Sequence, residues 1–173
     1  MLPPTYITKN LLLQAYRKED ENRFVETGTD EAVVRFMGGA TGNETTERAL
    51  FQRIFTVYAQ QDTNRWFWIW GIYKEGRLCG HFELKETENT TANELEIVYM
   101  VHPKERGRGI MSEVLAFVKS KQKDWKRHLI ATVDLGNEQS ISLLKKWGIT
   151  KKEWIADTTE AAGGYFKLWL ADD

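Results

Sequence analysis

The spacing of apolar residues changes twice along this chain, and these changes limit the possible folds more than any other feature. From Thr45 to Gln60 apolar residues recur at intervals of three and four, which predicts a helix with one apolar face. They then alternate or run continuously, which predicts strands at Trp66–Tyr73, Leu78–Leu84 and 94–102. Helical spacing returns over Ile110–Lys121. We therefore expect an α/β (α+β) fold, in which helices cover a sheet.

The other segments fit the same sheet. Residues 5–16 resemble one first strand, and two short helices are expected at Lys18–Glu26 and Thr29–Met37, the second ended by Gly38 and Gly39. Four further elements are predicted after residue 128: a strand at Leu129–Val133, a helix at Asn137–Trp147 that stops at Gly148, and strands at Lys152–Ala156 and Tyr165–Leu170. Because nothing but the loop Gly38–Glu44 suggests a break, we expect one domain over residues 1–173.

Composition excludes several classes of protein. With 24 Lys+Arg against 25 Asp+Glu, the net charge of −1 gives no basic field, so we expect no nucleic-acid partner. The longest apolar run, Trp66–Tyr73, is far shorter than the roughly 20 residues of a membrane-spanning helix, and no export signal is visible. Cys79 is the only cysteine and the three histidines are scattered, so we expect a cytoplasmic protein without disulfide or metal. Cys79 itself is expected to be a buried thiol rather than a nucleophile.

The junction between the strand 94–101 and the next helix is the most informative segment. Arg106, Gly107, Arg108 and Gly109 form a short loop, and the helix begins directly after it at Ile110. Glycines let a main chain approach a ligand closely, and the free N–H groups of a helix start attract anions. This pattern suits a pyrophosphate, but an ordinary turn with solvated arginines fits it equally well.

Arg106–Gly109 also resembles the Q/R-x-x-G-x-G/A acetyl-CoA signature of the GNAT N-acetyltransferase superfamily, with Met111 where the family usually has Gly or Ala. Three further stretches are similar to the branch that acetylates ribosomal-protein N-termini. They are the opening Ile7–Asp20, the strand Glu96–Tyr99 with Val98 for the Gly of E-I-G-Y, and the helix Asn137–Ile149. The matches follow the family's order over nearly the whole chain.

The resemblance implies a mixed, mostly antiparallel sheet that opens into a V between strands 94–101 and 129–133, with acetyl-CoA held there as co-substrate. Main-chain groups around Met100 and Val101 would bind pantetheine, and the stretch Arg106–Met111 would hold the pyrophosphate. Asn137 would contact the cofactor, although an asparagine at this position is also a good helix N-cap.

Acetyl transfer to an amine requires a proton acceptor, because amines with a pKa of about 8 to 10.4 are mostly protonated at pH 7. Glu96 faces away from the apolar side of its strand, lies next to the proposed cofactor loop and corresponds to the carboxylate of the family's strand. It could equally be a solvated strand glutamate. Glu94 on the same face, and His81 or His102 acting through water, are the other candidates.

Many family members place a tyrosine seven residues after the Asn to protonate the departing thiolate, but this chain has Leu144 there. Ser140 would take that role, as a serine does in the ribosomal-protein branch, unless it only bonds to the helix backbone.

The acceptor is expected to be a protein N-terminal α-amine or a small amine such as a drug or polyamine. The rival function is a noncatalytic acyl-CoA-binding module. Trp66, Trp68 and Trp70 could line an acceptor pocket but are more typical of a core. Monomer and homodimer both remain open.

Overall fold

The structure is a computed structural model that describes residues 2–37, 42–60, 66–156 and 163–172. Within them the chain forms eight strands: β1 (Tyr6–Ile7), β2 (Leu12–Gln14), β3 (Phe67–Lys74), β4 (Arg77–Lys85), β5 (Glu94–Val101), β6 (His128–Val133), β7 (Ile149–Ala156) and β8 (Gly164–Leu170). Five helices accompany them: α1 (Glu21–Gly28), α2 (Glu31–Val34), α3 (Glu44–Ala59), α4 (Ile110–Trp125) and α5 (Glu138–Trp147). Short 3-10 turns at Lys18–Asp20 and Pro103–Glu105 precede α1 and α4.

All eight strands belong to one sheet, in the order β1-β2-β3-β4-β5-β6-β8-β7. Neighbouring strands are antiparallel except β5 and β6, which are parallel. That parallel pairing covers only Glu94–Glu96 and His128–Ile130, after which β5 continues beside β4 and β6 continues beside β8. The sheet therefore opens between β5 and β6, and the predicted V-split, mixed sheet is confirmed.

The two faces of the sheet carry different helices. Leu95 and Ile97 of β5 share a large core with α4 and α5, and Tyr99 and Val101 pack against it. On the opposite face, Ile69 of β3 joins a smaller cluster with Phe24 of α1 and Phe51 of α3. We call these the α4 face and the α1 face. Because side chains alternate along a strand, Glu94 and Glu96 lie on the α1 face.

The row of tryptophans belongs to the core. Trp70 is buried, and Trp66 and Trp68 pack against the same cluster on the α4 face. The indole of Trp68 lies 4.5 Å from that of Trp66, in a tilted arrangement, and 6.5 Å from that of Trp125 of α4, both measured between ring centroids. These rings lie on the face opposite Glu96, so the core interpretation of the tryptophans is confirmed.

Several predicted boundaries are wrong. Residues 5–16 form a hairpin, β1 with β2, rather than one strand, because Thr8 and Asn10 turn the chain and bond to Glu113 of α4. The predicted helix Thr29–Met37 is only the single turn α2, capped by Asp30. Two later elements are longer than predicted: α4 continues to Trp125, and β7 begins at Ile149. Gly38 and Gly39, the predicted stop of the second helix, lie outside the described residues.

Candidate active site

The loop before α4 has the backbone that the sequence suggested. Gly107 and Gly109 have φ angles of 73° and 74°, in the left-handed region that favours glycine. Gly109 is the N-cap of α4, and no side chain caps this 16-residue helix. The N–H groups of the first turn are therefore left for another acceptor, and the positive end of the helix dipole adds attraction for an anion.

Both arginines of this loop are paired with carboxylates. Arg106 contacts Asp30, the residue that caps α2. Arg108 Nη1 lies 2.9 Å from Glu105 Oε2, and the same buried carboxylate contacts Arg23 at 3.4 Å. The two guanidinium groups are thus held at the loop, where they remain 36% and 55% exposed. A phosphate bound here would share each guanidinium with a carboxylate.

The side chains at the start of α4 point into the protein. Ile110 and Met111 are 4% and 5% exposed and belong to the core on the α4 face. Met111, which stands at the family's Gly or Ala position, therefore keeps its side chain away from the outer surface of the loop. What the loop offers a ligand is main chain and the two arginines.

The gap between β5 and β6 is lined by main-chain groups of β5. The His102 amide donates to Cys79 O of β4 at 2.9 Å, and along a strand these groups alternate between the two neighbours. Val101 and Tyr99 therefore direct their main-chain groups into the gap, whereas those of Met100 face β4. Of the two predicted pantetheine-binding positions, Val101 presents its own main-chain groups to the gap.

Glu96 lies at the closed end of the gap, as the last β5 residue registered with β6. Its carboxylate is 4% exposed and accepts three hydrogen bonds: from Thr132 Oγ1 at 2.5 Å, Thr87 Oγ1 at 2.6 Å and Asn89 Nδ2 at 3.4 Å. The solvated alternative is therefore wrong. The expected position next to the cofactor loop is also wrong, because Val101, which precedes that loop, is five residue steps along β5 from Glu96, roughly 16 Å at the rise of a strand.

Glu94 lies on the same face as Glu96 but forms hydrogen bonds with different residues. It accepts hydrogen bonds from Trp169 Nε1 at 2.6 Å, Lys167 Nζ at 3.0 Å and the Thr91 amide at 3.0 Å. Burial alone would raise the pKa of this carboxyl, but these donors outweigh it and lower the pKa. Glu94 therefore ties β5 to β8 as a stable carboxylate.

The two candidate histidines differ in their surroundings. His102 caps the 3-10 turn by accepting from the Lys104 amide, and its other nitrogen lies 3.0 Å from Glu26. Burial lowers the pKa of His102 despite that neighbour. His81 is buried on the α1 face, with Nδ1 2.8 Å from the Tyr16 hydroxyl. Neither ring is presented to the gap between β5 and β6.

Glu83 is a charged residue of β4, near Glu96 along the sheet, that the sequence interpretation missed. It is the cross-strand partner of Val98 on the α1 face, and its carboxylate contacts His81 Nε2 at 3.1 Å and Lys85 Nζ at 2.7 Å. Burial alone would raise the pKa of Glu83, but the His81 hydrogen bond and the charges of His81 and Lys85 lower it to about 2. The alternation of β4 could have shown that His81, Glu83 and Lys85 share a face.

Ser140 is joined to a tyrosine across the gap. Asn137 is the N-cap of α5 and accepts from the Ser140 amide at 3.1 Å, so the capping interpretation of Asn137 is confirmed. The Ser140 hydroxyl shares a 2.6 Å hydrogen bond with the hydroxyl of Tyr99. Burial raises the pKa of Tyr99 to about 12, which keeps this phenol protonated. Leu144, at the family's tyrosine position, is buried in the core.

Two general features accompany the site. Among the described residues, no helix combines the length and apolar character needed to cross a membrane, and no three His, Cys, Asp or Glu side chains are grouped to hold a metal ion. Cys79 is a free, fully buried thiol, and burial raises its pKa, so its predicted burial is confirmed.

Comparison with protein families identifies this arrangement. Residues 10–150 match the family model described as "Acetyltransferase (GNAT) domain". The chain belongs to the GNAT acetyltransferase family. This membership confirms the predicted family and the predicted enzyme class, an N-acetyltransferase. No curated protein sequence matches this GNAT chain.

Solved structures confirm the GNAT fold. A GNAT-family acetyltransferase from Bacillus anthracis has a TM-score of 0.75 at 20% identity, covering 96% of this chain and 98% of its own. The ribosomal-protein-S5-alanine acetyltransferase of Vibrio fischeri has a TM-score of 0.72 at 12% identity, covering 96% and 95%. A Salmonella typhimurium acetyl transferase that modifies the N-terminal serine of ribosomal protein L7/L12 has 0.73 at 13%, covering 99% and 100%. At these identities the likeness concerns the fold.

Proposed function

We propose that this GNAT domain transfers an acetyl group from acetyl-CoA directly to a primary amine, in the cytoplasm and without a metal. One observation carries the proposal. The gap between β5 and β6 has a buried carboxylate, Glu96, at its closed end and the uncapped α4 helix at its open end. A long, phosphate-bearing thioester fits such a gap with its anionic end at the helix and its acyl end toward the base.

The open end of the gap would hold the pyrophosphate. The N–H groups after Gly109 and the guanidinium groups of Arg106 and Arg108 are its donors, and Gly107 keeps the loop in its left-handed turn. Around Met100 and Val101, the main-chain groups that face the gap, those of Val101 and Tyr99, would form hydrogen bonds with pantetheine, as they would with a neighbouring strand. Asn137 would contact the cofactor while its Oδ1 caps α5, since its amide nitrogen is not used in the cap.

The acetyl thioester supplies an activated acyl group, and the chain supplies the proton transfers. Glu96 is the final acceptor of the amine proton, since its carboxylate lies at the closed end of the gap and can take up the proton that the amine gives up. Ser140 would donate a hydrogen bond to the departing thiolate from the first turn of α5, where the helix dipole also favours negative charge. Its contact with Tyr99 supports this role. The hydrogen bond between the two hydroxyl groups uses only one of their two protons, and the other proton can be donated to a third group.

The proposed acceptor is a protein N-terminal α-amine. Two structural neighbours are described as acting on ribosomal proteins, one as an S5-alanine acetyltransferase and one as modifying the N-terminal serine of L7/L12. A small amine is the second candidate, and the Glu83 carboxylate beside Val98, although already paired with Lys85 and His81, is the charged group that a test of this class would address. The protein would act as one domain, as monomer or homodimer.

Thiol release from acetyl-CoA tests the proposal. The wild-type protein is assayed with peptides that begin with Ala or Ser, with the same peptides blocked at the N-terminus, and with polyamines and small aromatic amines. Turnover with free peptides alone supports N-terminal acetylation, and turnover with polyamines or drugs alone moves the acceptor to the small-amine class. Tight binding of acetyl-CoA without turnover on any amine would contradict the enzyme and favour an acyl-CoA-binding module.

A further inference from the structure

The base of the proposed reaction is enclosed. Glu96 is 4% exposed, and its two carboxylate oxygens already accept hydrogen bonds from the side chains of Thr132, Thr87 and Asn89. Because so little of this carboxylate is exposed, an acceptor amine has almost no direct access to it beside these partners. A proton can reach it without displacement only through a partner that has both a proton to give and a free lone pair.

Thr87 and Asn89 are already used by the loop that covers Glu96. The Thr87 hydroxyl donates to Glu96 and accepts from the Asn89 amide at 3.1 Å, and the main chain of Thr87 is bonded to Thr90. Asn89 accepts from the Tyr165 hydroxyl at 2.7 Å and has no ionisable proton to pass on. Thr87 and Asn89 therefore position the Glu96 carboxylate as part of the loop that covers it.

Thr132 is differently placed. It lies on β6 two residues beyond Ile130, where β5 has already left β6, and it shares the α1 face with Glu96. Its hydroxyl donates to Glu96 Oε1, and among the described residues no other side-chain partner contacts that hydroxyl. The side chain is half-buried rather than enclosed. Thr132 thus borders the gap and keeps a lone pair for an incoming N–H.

We propose that the Thr132 hydroxyl carries the proton from the acceptor amine to Glu96, an inference that rests on the proposed function. The ammonium N–H bond breaks and its electron pair stays on nitrogen, which can then attack the acetyl carbon. The proton passes to Thr132 Oγ1 as the threonine's own proton passes to Glu96 Oε1. Thr132 ends neutral, and Glu96 ends protonated and returns its proton to solvent. As the C–N bond forms, the C–S bond breaks and leaves its electron pair on sulfur, and the second proton lost by the nitrogen protonates the departing thiolate.

Two substitutions of Thr132 separate a relay from a structural contact. Thr132→Val keeps the shape and removes the hydroxyl, whereas Thr132→Ser keeps the hydroxyl and removes a methyl group. Because a proton-transfer group typically contributes about 10²- to 10⁴-fold, we expect Thr132→Val to lower kcat by at least about tenfold at unchanged acetyl-CoA affinity. Thr132→Ser should stay within about threefold of wild type. If Thr132→Val does not fold, Thr132→Ala takes its place in the comparison with Thr132→Ser.

Thr87→Val is the matched control, since it removes a hydroxyl from the same carboxylate on the side of the covering loop. Its kcat should fall less than that of Thr132→Val. In a Glu96→Gln background, Thr132→Val should cost nothing further, because the relay then has no acceptor. The relay is overturned if Thr132→Val keeps wild-type kcat, if Thr132→Ser falls equally, or if Thr87→Val is as damaging. A wild-type protein that acetylates no amine would instead overturn the proposed function and this inference with it.

Discussion

Replacing Glu96 by glutamine removes the proposed proton acceptor and keeps its shape. The carboxylate now accepts from Thr132, Thr87 and Asn89. A glutamine oxygen can still accept from Thr132, and its NH₂ group can donate to the Thr87 hydroxyl after that hydroxyl rotates. The 3.4 Å contact from Asn89 and the proton of the rotated Thr87 hydroxyl then lack their former acceptor. The expected loss in unfolding free energy is about 2 kcal/mol, the value of two ordinary hydrogen bonds.

The expected loss in catalysis is much larger. An amide takes up no proton at neutral pH, so the whole contribution of the base disappears. That contribution is typically 10²- to 10⁴-fold in kcat, or about 2.7 to 5.5 kcal/mol of barrier. Glu96 lies roughly 16 Å along β5 from Val101, so the substitution leaves the proposed pyrophosphate loop unchanged, and the dissociation constant of acetyl-CoA should change by less than about twofold.

Glu94→Gln is the control, because it removes the same charge from the same strand face two residues away. Glu94 is paired with Lys167 at 3.0 Å, with both side chains about nine-tenths buried. Breaking a buried pair costs about 3–5 kcal/mol, so this variant should lose more unfolding free energy than Glu96→Gln and less kcat. Thiol release measures kcat, denaturant unfolding measures stability, and calorimetry measures acetyl-CoA binding. A kcat of Glu96→Gln within threefold of wild type, or an equal fall in Glu94→Gln, would refute the assignment of the base.

Three further results are expected. Arg106→Ala and Arg108→Ala should each weaken acetyl-CoA binding roughly 10- to 150-fold in calorimetry, because a charge-assisted hydrogen bond is worth about 1.5–3 kcal/mol; unchanged affinity in both, and in Gly109→Val, would remove the pyrophosphate from this loop. Ser140→Ala should lower kcat only about tenfold, since the helix dipole still favours the thiolate, and acetyl-CoA affinity should change little. If the variant keeps wild-type kcat under conditions where the chemical step limits turnover, Ser140 has only a structural role, its contact with Tyr99. Glu83 has a pKa lowered to about 2, so its contribution to unfolding free energy, at most about 3 kcal/mol, is complete above about pH 5 and is lost as the pH falls toward 2. Denaturant unfolding between pH 2.5 and 6 should therefore show a weaker acid dependence for Glu83→Gln, and equal slopes for the two proteins would contradict the Glu83 assignment.

Local patterns were sufficient for most of the secondary structure. The apolar spacing of α3 and α4 and the alternation of β3 to β5 are visible in short windows, and the structure places these elements within a few residues of their predicted ends. The first strand failed for a physical reason. The turn at Thr8–Asn10 is held by Glu113, a residue more than a hundred positions away, and no local window contains that contact.

The candidate site divides in the same way. Arg106–Met111 could be found from sequence, because a glycine-containing loop between a strand and a helix is a local feature. The role of Glu96 could be suggested, but its enclosure depends on Thr132 of another strand and on a loop that folds back over it. Likewise, Tyr99 and Ser140 meet only because β5 and α5 lie on either side of the gap.

By itself, the sequence determined the α/β class, the order of the elements and the glycine-containing loop before α4, because each depends on residues near one another in the chain. The tertiary structure decided which polar groups are solvated and which are enclosed. Glu94 and Glu96 are the same residue type on the same face of β5. Glu94 is held by Lys167 and Trp169 of β8, whereas Glu96 is held by neutral donors where the gap opens. Alternation along a strand assigns a side chain to a face, but the neighbours on that face come from distant segments. The chemistry available to each carboxylate is therefore a property of the assembled sheet.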